Sequence, residues 1–358
     1  MPEGGHRARP QGARGDRGRR SRGVRQDRRA GQGRARQLTA ELERVFLHQA
    51  EQCARAGSPL YADVCRRLAR EPVVAEIVGD NGWDGPLRLL GGLHYLALSR
   101  DLDPWHDPVP VLEQERDWLR SFVRRQGVQT NEVQRSWVLV PCFLELARRT
   151  GVETVDLIEL GSSAGLNLLW DRHRYRYAQG VWGSEDAALE LSGEERRPVP
   201  GELLSVRLRV RHRRGVDRSP VDVTDPEGAL LLKAFVWPDQ RERLERLDRA
   251  VEALRSDPPE LEQGDVVDRL PELLAERQLG ALTVVFATAV LSYLGDRQDA
   301  LLAALDEAGR SFPLAFLWTG RPKADEHGYW GLWARLWPED EQVLLAHAGF
   351  HGQWLEWL

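Results

Sequence analysis

The chain has 358 residues, of which 42% are hydrophobic and 29% charged, and its net charge is −5. This length and composition are typical of a globular protein with one large or two smaller domains. They argue against a membrane protein, because no apolar stretch approaches the roughly 18–20 residues that span a bilayer. The start lacks the apolar core of a signal peptide, and Cys53, Cys65 and Cys142 form no C-x-x-C pair. We therefore expect a cytoplasmic protein with no membrane contact, no disulfide framework and no metal site.

The first segment of the chain is strongly basic. Residues 1–36 contain twelve arginines and only three acidic residues, whereas the rest of the chain is acidic. A basic arm of this kind can contact nucleic acid. However, Lys233 and Lys323 are the only lysines in the whole sequence, so the arginine bias is general. Because the segment is also rich in glycine and poor in apolar residues, we predict a disordered leader over residues 1–37 and no nucleic-acid partner apart from it.

Residues 38–150 show a helical pattern. Apolar residues recur at helical spacing from Leu42 to Cys53, and again from Leu60 to Leu68 after a break at Gly57–Pro59. Further helical runs cover about 86–99 and 110–125. Since no convincing strand precedes residue 150, we predict an all-helical N-terminal cap region over 38–150.

From residue 151 the pattern changes to short apolar runs that alternate with helical ones, which is typical of a parallel α/β sheet. Strands are predicted at 154–160, 203–210, 282–290 and 313–319, and PELEQGD (259–265) is counted as the third strand, so that 282–290 is the fourth. Helices are predicted at about 227–255 and 296–309. A helix is also predicted to begin at the glycines after the first strand. The last 18 residues predict a hairpin that turns near Gly349, and the polar stretch 178–202 is predicted to be an insertion.

The sequence LIELGSSAGLNLLWD (157–171) runs from the first strand into a turn of small residues. Ligands of open parallel sheets lie beyond the carboxyl ends of the strands, so chemistry is expected here. The dinucleotide pattern G-x-G-x-x-G fails, because Ser163 and Leu166 replace two glycines, and no P-loop lysine follows. The methyltransferase pattern fits: an acidic residue, Glu159, stands two residues before small residues at Gly161, Ser163 and Gly165. It predicts backbone N–H groups facing S-adenosylmethionine, and Glu159 holding its ammonium group.

The same turn also matches the G-x-S-x-G elbow of serine hydrolases, with Ser163 as nucleophile. Asp325 and His351 follow it in the order of acid and base. That fold normally builds several strands and an oxyanion loop before its nucleophile, and neither is found upstream. The elbow therefore remains an alternative.

Carboxylates at the ends of the next strands favour the cofactor interpretation. Asp217 follows the second predicted strand, where methyltransferases bind the ribose hydroxyls, and Asp265 follows the third, near the expected adenine. Exposed aspartates at such places are also common turn formers and helix caps. Asn167 either contacts the cofactor or makes a structural hydrogen bond. The predicted cofactor-binding residues are Glu159, Gly161, Ser163, Gly165, Asn167, Asp217 and Asp265.

Long motifs make the chain, from about residue 40 to 358, similar to an uncharacterised bacterial family catalogued as domain of unknown function 2332. They are TNEVQRS (130–136), LIELGSSAGLNLLWDR (157–172), RGVDRSPVDVTDP (214–226), AFVWPDQRERLERL (234–247) and HGQWLEWL (351–358). The resemblance implies a branch of the class I S-adenosylmethionine-dependent methyltransferase fold: a Rossmann-like, mostly parallel sheet with an antiparallel C-terminal hairpin over 151–358. It brings no established reaction and no catalytic residues, and the arginine-rich leader is not part of it.

Catalytic candidates are weaker. The loop after the fourth strand offers Thr288, Ser292 and Tyr293, but it lacks the D/N-P-P-Y/F motif, which disfavours methylation of nucleobase or glutamine amino groups. Asn131, Glu132 and Arg135 precede the helix that leads into the first strand. They either seat the cofactor or a substrate carboxylate, or serve as an ordinary helix start. Trp237 and Trp318 either line an apolar pocket or pack in the core.

Three functions follow from these patterns. The first is methyl transfer from S-adenosylmethionine to an unknown small-molecule acceptor, with the helical cap over the pocket. The second is a binding module with the same fold that catalyses nothing. The third is a serine hydrolase that uses Ser163.

Overall fold

The computed structural model describes residues 38–80, 82–100, 102–129, 132–320 and 328–358. The predicted leader over 1–37, Asn131 and Asp325 lie outside the described residues. The chain divides into two compact units, Met1–Gly127 and Val128–Leu358. No helix within the described ranges is both long and apolar enough to cross a membrane.

The described part of the first unit consists of helices and contains no strand. Pro59, Pro72 and Pro108 each occupy the first turn of a helix, where the missing N–H costs nothing and the fixed φ favours the helical backbone. The Ser58 hydroxyl accepts a hydrogen bond from the Tyr61 N–H (3.2 Å) and caps the second helix. The helices are α1 (38–55), α2 (Pro59–Leu68), α3 (Pro72–Val78), α4 (Gly85–Arg100), α5 (Pro108–Gln114) and α6 (Arg116–Arg125).

The second unit begins before residue 151, because helix α7 belongs to it. This helix was predicted within the cap region 38–150, but it is buried on all sides except near its end and packs in the core of the second unit. Phe143 stacks on Trp170 with ring centroids 4.7 Å apart. The helices of this unit are α7 (Arg135–Thr150), α8 (Pro226–Ala234), α9 (Arg241–Ser256), α10 (Val266–Ala275) and α11 (Gln298–Gly309).

Twelve strands form two sheets in the described part of the second unit. They are β1 (Thr154–Leu160), β2 (Arg174–Tyr177), β3 (Gly180–Trp182), β4 (Glu190–Ser192), β5 (Glu194–Arg197), β6 (Arg209–Asp217), β7 (Glu260–Gln263), β8 (Leu282–Ala287), β9 (Leu314–Gly320), β10 (Tyr329–Trp337), β11 (Glu341–Gly349) and β12 (Trp354–Trp357). The large sheet has the order β5-β12-β11-β10-β9-β8-β1-β6-β7, and β2, β3 and β4 form the small one.

The large sheet is mostly parallel, as predicted. Strands β7, β6, β1, β8 and β9 are parallel neighbours, whereas β10 is antiparallel to β9, β11 to β10 and β12 to β11. The chain therefore passes from β1 to one side of the sheet and returns to β8 on the other. Beyond the carboxyl ends of β1 and β8 lies the switch point, where open α/β sheets bind ligands.

Strand β1 has a core on each face of the sheet. Val155 and Leu157 belong to the cluster that contains α7, α8 and α9 residues, whereas Ile158 and Leu160 belong to the cluster with α10 and α11. Because side chains alternate along a strand, Glu159 is on the α7 face together with Leu157.

Three predicted elements differ in the structure. The strand predicted at 203–210 is β6 at 209–217, while Leu203–Ser205 form a 3-10 turn. Arginines along this strand interrupt the apolar pattern from which a strand is predicted. Arg211, Arg213 and Arg214 are ion-paired, as in Arg213–Asp171 (2.6 Å). The helix predicted over 227–255 is two helices that separate around Pro238, which cannot continue a helix. The helix predicted after the glycines is only a kinked 3-10 segment, Leu166–Arg172.

Candidate functional site

The turn after β1 is tied to the end of β6. The N–H groups of Gly161 and Ser162 donate to the Val216 carbonyl (2.8 and 3.2 Å), and the N–H of Ser163 donates to Asp217 Oδ2 (2.9 Å). The N–H of Gly165 donates to the Ser162 carbonyl (2.7 Å). These four N–H groups therefore bond within the protein instead of facing a ligand, contrary to the expectation from the sequence.

The small residues of the turn are required by packing. Gly161 has φ 73°, and a Cβ there would lie 2.8 Å from the Val290 side chain; Gly165 has φ 79°, and its Cβ would lie 2.8 Å from Pro259. Ser163 has φ 50°, a left-handed backbone that favours glycine. Its buried hydroxyl contacts the amide oxygen of Gln129.

Glu159 lies at the carboxyl end of β1 and is 2% exposed. The Asn167 side chain bonds to its carboxylate, and Asn167 Oδ1 accepts a hydrogen bond from the Ser136 hydroxyl (3.0 Å). The second oxygen, Oε2, has no hydrogen-bond partner among the described residues. Burial raises the pKa of Glu159 well above its usual value, although the Arg135 charge and the Asn167 bond oppose the rise. A buried carboxylate with one unused acceptor is suited to a cationic donor from a ligand.

Asp217 and Asp265 follow the ends of β6 and β7, as the sequence predicted. Asp217 accepts the N–H groups of Ser163 (2.9 Å) and Ser219 (2.8 Å). Asp265 caps helix α10 through the Val267 N–H (3.0 Å) and forms ion pairs with Arg218 (2.7 Å) and Arg297 (2.8 Å). Burial alone would raise the pKa of Asp265, but these arginines and the cap bond lower it. Both carboxylates thus also have structural partners.

A group of buried charges lies around the start of α7. It comprises Glu132, Arg135, Arg243, Arg246 and His351, which we call the arginine–histidine cluster. Glu132 is 4% exposed, and its carboxylate is 2.6 Å from Arg243 Nε and 3.8 Å from Arg246 Nε. It also accepts the Gln134 N–H (3.1 Å). Glu132 therefore fixes the start of α7 to helix α9.

Arg135 connects the end of β1 with the turn between β11 and β12. Its Nε donates to the Phe350 carbonyl (3.1 Å), and its guanidinium lies 4.8 Å from the centre of the Trp330 ring. Burial lowers the pKa of Arg135 to about 10, so the side chain remains charged at neutral pH. Its charge acts on both Glu159 and His351.

The candidates in the loop after β8 are placed differently from each other. The Ser292 hydroxyl donates to the Ala289 carbonyl (2.8 Å) and stabilises that local turn. Tyr293 is 54% exposed. It interacts electrostatically with Arg135, a member of the arginine–histidine cluster. Thr288 is buried at the end of β8.

His351 joins this site, although the sequence suggested it only as the base of a hydrolase. It lies in the turn after β11, and its ring forms a T-shaped pair with the Trp237 ring at a centroid distance of 6.3 Å. Its Nδ1 is buried and has no hydrogen-bond partner in the described part of the chain. Burial lowers the pKa of His351 well below 6.5, and the charges of Arg243 and Arg135 lower it further. The ring is therefore neutral at neutral pH.

The chain belongs to the bacterial family described as "uncharacterized protein conserved in bacteria", domain of unknown function 2332, whose model matches residues 43–357. The match confirms the family that the sequence motifs indicated. It includes the glycine turn, the three carboxylates and the arginine–histidine cluster. None of the curated proteins matches the chain.

Proposed function

We propose that the protein binds S-adenosylmethionine at the carboxyl edge of the large sheet and transfers its methyl group to a small acceptor. The observation that carries this proposal is the buried Glu159 carboxylate, whose Oε2 has no partner among the described residues, at the end of the central strand. Asp217 and Asp265 follow at the ends of the next two strands in the order that a Rossmann-like methyltransferase requires. The strand order β7-β6-β1-β8-β9 supports the same fold.

The residues fit the parts of this cofactor unequally. Glu159 Oε2 accepts a hydrogen bond from the ammonium group of the methionine part. Each carboxylate oxygen of Asp217 accepts one backbone N–H and keeps a second lone pair for a ribose hydroxyl. Asp265 is paired with two arginines, so the backbone beside it is the better partner for the adenine amine. The cofactor supplies an electrophilic methyl group, and the protein contributes chiefly by positioning the acceptor.

Ligand binding tests the proposal. S-adenosylhomocysteine at about 100 times its Kd stabilises the fold by roughly 2.7 kcal/mol, whereas NAD and ATP are expected to leave the melting temperature unchanged. Calorimetry at millimolar S-adenosylhomocysteine gives the affinity directly. Absence of binding by both methods would overturn the proposal. Binding without turnover across a broad panel of acceptors would instead favour the binding module. The Ser292 hydroxyl supports this alternative, because this catalytic candidate donates its hydrogen bond to a local backbone carbonyl.

One observation favours the serine hydrolase as a second candidate. Ser163 follows a strand and has φ 50°, and a strained backbone is typical of a nucleophile elbow. Its hydroxyl, however, is buried and contacts the Gln129 amide, which is not a base. Labelling of the protein by a fluorophosphonate probe, and loss of labelling in Ser163→Ala, would establish the hydrolase in place of the methyltransferase.

A further inference from the structure

We propose that the methyl acceptor binds at the arginine–histidine cluster, that it is a small organic acid whose anionic group contacts Arg243, and that His351 accepts the proton from its reacting O–H or N–H group. This inference rests on the proposed function. It adds the class of the acceptor and a base for methyl transfer, a role in which the sequence did not place His351.

The charges around Glu132 support an anionic acceptor. Arg243 and Arg246 both lie against this one carboxylate, and two further described partners of the Arg243 guanidinium, the Gln240 amide and the Trp237 ring, are neutral. The Arg243 side chain is 13% exposed, and Arg246 Nε is buried without a hydrogen-bond partner in the described ranges. Because these two guanidinium groups share a single carboxylate, the cluster has more positive than negative charge, and an anion supplied by a ligand stabilises this arrangement.

Trp237 provides an apolar wall next to these charges. It is partly exposed, its ring lies 6.0 Å from the Arg243 guanidinium, and the His351 ring is nearly perpendicular to it. A planar or short hydrocarbon body therefore contacts Trp237 when an anionic group is at Arg243. An indole face beside a guanidinium is suited to such an amphipathic molecule.

Arg135 relates this place to the proposed cofactor site. It bonds to the carbonyl of Phe350, the residue before His351, and its charge acts on Glu159. His351 is thus on the side of the methionine part of the cofactor, where the methyl group is carried. The adenine side lies at Asp265, after β7, which is two strands from β1 in the direction away from β11.

The neutral imidazole can accept a proton, and the O–H or N–H of the acceptor becomes strongly acidic as its oxygen or nitrogen is methylated. As the acceptor oxygen or nitrogen forms its bond to the methyl carbon, the carbon–sulfur bond breaks and its electron pair remains on sulfur. The proton of the acceptor passes to Nδ1 of His351, which has no other partner among the described residues. The charged groups that act on the ring, Arg243 on α9 and Arg135 on α7, keep it unprotonated before the step.

Binding of model acids tests the inference. With saturating S-adenosylhomocysteine, calorimetry compares salicylate with salicylamide and lactate with lactamide. We expect at least one acid to bind about tenfold or more tightly than its neutral amide, and Arg243→Lys to remove this preference because it loses the planar fork. Arg241→Lys, an exposed substitution two residues earlier, is the matched control and keeps the preference.

Nuclear magnetic resonance gives a readout independent of turnover. The imidazole nitrogen signal of His351, identified by its loss in His351→Gln, shifts when the preferred acid binds. Equal binding of acids and amides, or no shift of the His351 signal, would overturn the inference. Since S-adenosylhomocysteine binding is measured in the same samples, a failure here remains distinguishable from failure of the proposed function.

Discussion

The glycine turn Gly161–Gly165 and the arginine–histidine cluster lie near the same strand end but differ in how their polar groups are used. In the turn, the N–H groups of Gly161, Ser162, Ser163 and Gly165 all have partners in the protein. Beside it and in the cluster, Glu159 Oε2 and His351 Nδ1 are buried without partners in the described ranges. The backbone of the turn thus forms the scaffold, while the hydrogen-bonding capacity left unused here among the described residues belongs to buried side chains: Ser162 Oγ in the turn, Glu159 Oε2 beside it and His351 Nδ1 in the cluster.

The glycine motif was expected both to allow close backbone packing and to bind the ligand, and we assign these two roles to different residues. Small residues in the turn allow the backbone to pack against Val290 and Pro259, which holds β1, β6 and the following loops in place. Ligand chemistry then depends on side chains that this scaffold positions. Substitutions in the turn should therefore affect stability first, and substitutions at Glu159 should affect ligand binding first.

The largest effect is expected from Gly161→Val. The new side chain combines a positive φ of 73° with a contact of 2.8 Å to Val290, so we expect a loss of about 3–5 kcal/mol in the free energy of unfolding and no S-adenosylhomocysteine binding. Gly151→Val is the control, because Gly151 has φ 68° but no atom of the described residues within 4 Å of its Cβ position. Urea unfolding should show that it loses only about 1–3 kcal/mol. Equal losses would mean that the packing at Gly161 is unimportant.

Low pH should decrease the free energy of unfolding through His173, which follows the 3-10 segment Leu166–Arg172. Burial lowers the pKa of His173 from 6.5 to about 4, so the folded state disfavours its charged form. Neutral His173 makes its full contribution to the free energy of unfolding above pH 6.5. As the pH falls from 6.5 toward 4, the free energy of unfolding decreases by at most about 3 kcal/mol. Urea unfolding at pH 7 and pH 5 should show a smaller difference for His173→Gln than for the natural chain. An unchanged difference would contradict this assignment.

Glu159→Gln should weaken ligand binding but raise the stability of the ligand-free protein. We expect S-adenosylhomocysteine affinity to fall about 10- to 100-fold, since a charge-assisted hydrogen bond contributes about 1.5–3 kcal/mol. The ligand-free variant should be more stable than the natural chain as the pH rises above 4.5, because the raised pKa makes the buried carboxylate costly to ionise.

The matched control for Glu159→Gln is Asp156→Asn. Asp156 is on the same strand and is ion-paired with Arg211 (2.9 Å to Nε). This variant should lose stability and keep its affinity for the ligand. If both variants lose affinity equally, Glu159 has no special place in binding.

The smallest effect is expected from Ser163→Gly. It relieves the left-handed strain but loses the contact with Gln129, so the free energy of unfolding should change by less than about 1 kcal/mol. Ser163→Ala keeps the strain and loses the contact, and should be the less stable of the two. Thermal unfolding distinguishes them, and both should retain S-adenosylhomocysteine binding. Lower stability of the glycine variant would contradict the role of serine as a glycine substitute.

The sequence predicted the parts of the site that local patterns encode. Strand β1, its turn and the carboxylates after β6 and β7 were found because apolar runs ending in small or acidic residues are short-range signals. The partners of the turn N–H groups were not predicted, because Val216 and Asp217 meet the turn only through sheet pairing. The stretch Leu166–Arg172 kept a helical apolar pattern although tertiary packing made it a short 3-10 segment.

His351 was not placed in the site because strand β10 was not predicted. Its sequence, YWGLWARLW, alternates poorly, and its tryptophans are found on both faces of the strand. Without β10, the direction of β11 in the sheet was undetermined. Because β10 reverses the chain, β11 runs parallel to β9 and delivers His351 to the carboxyl edge.

The two outer strands of the nine-stranded sheet have a consequence for solubility. Strand β7 is Glu-Leu-Glu-Gln and strand β5 is Glu-Glu-Arg-Arg, so both borders are only four residues long and carry charged side chains. An exposed border strand is a template on which another polypeptide can add, and short charged strands resist such addition. Strand β5 comes from the polar insertion 178–202, which therefore closes the border that the hydrophobic β12 would otherwise expose to aggregation.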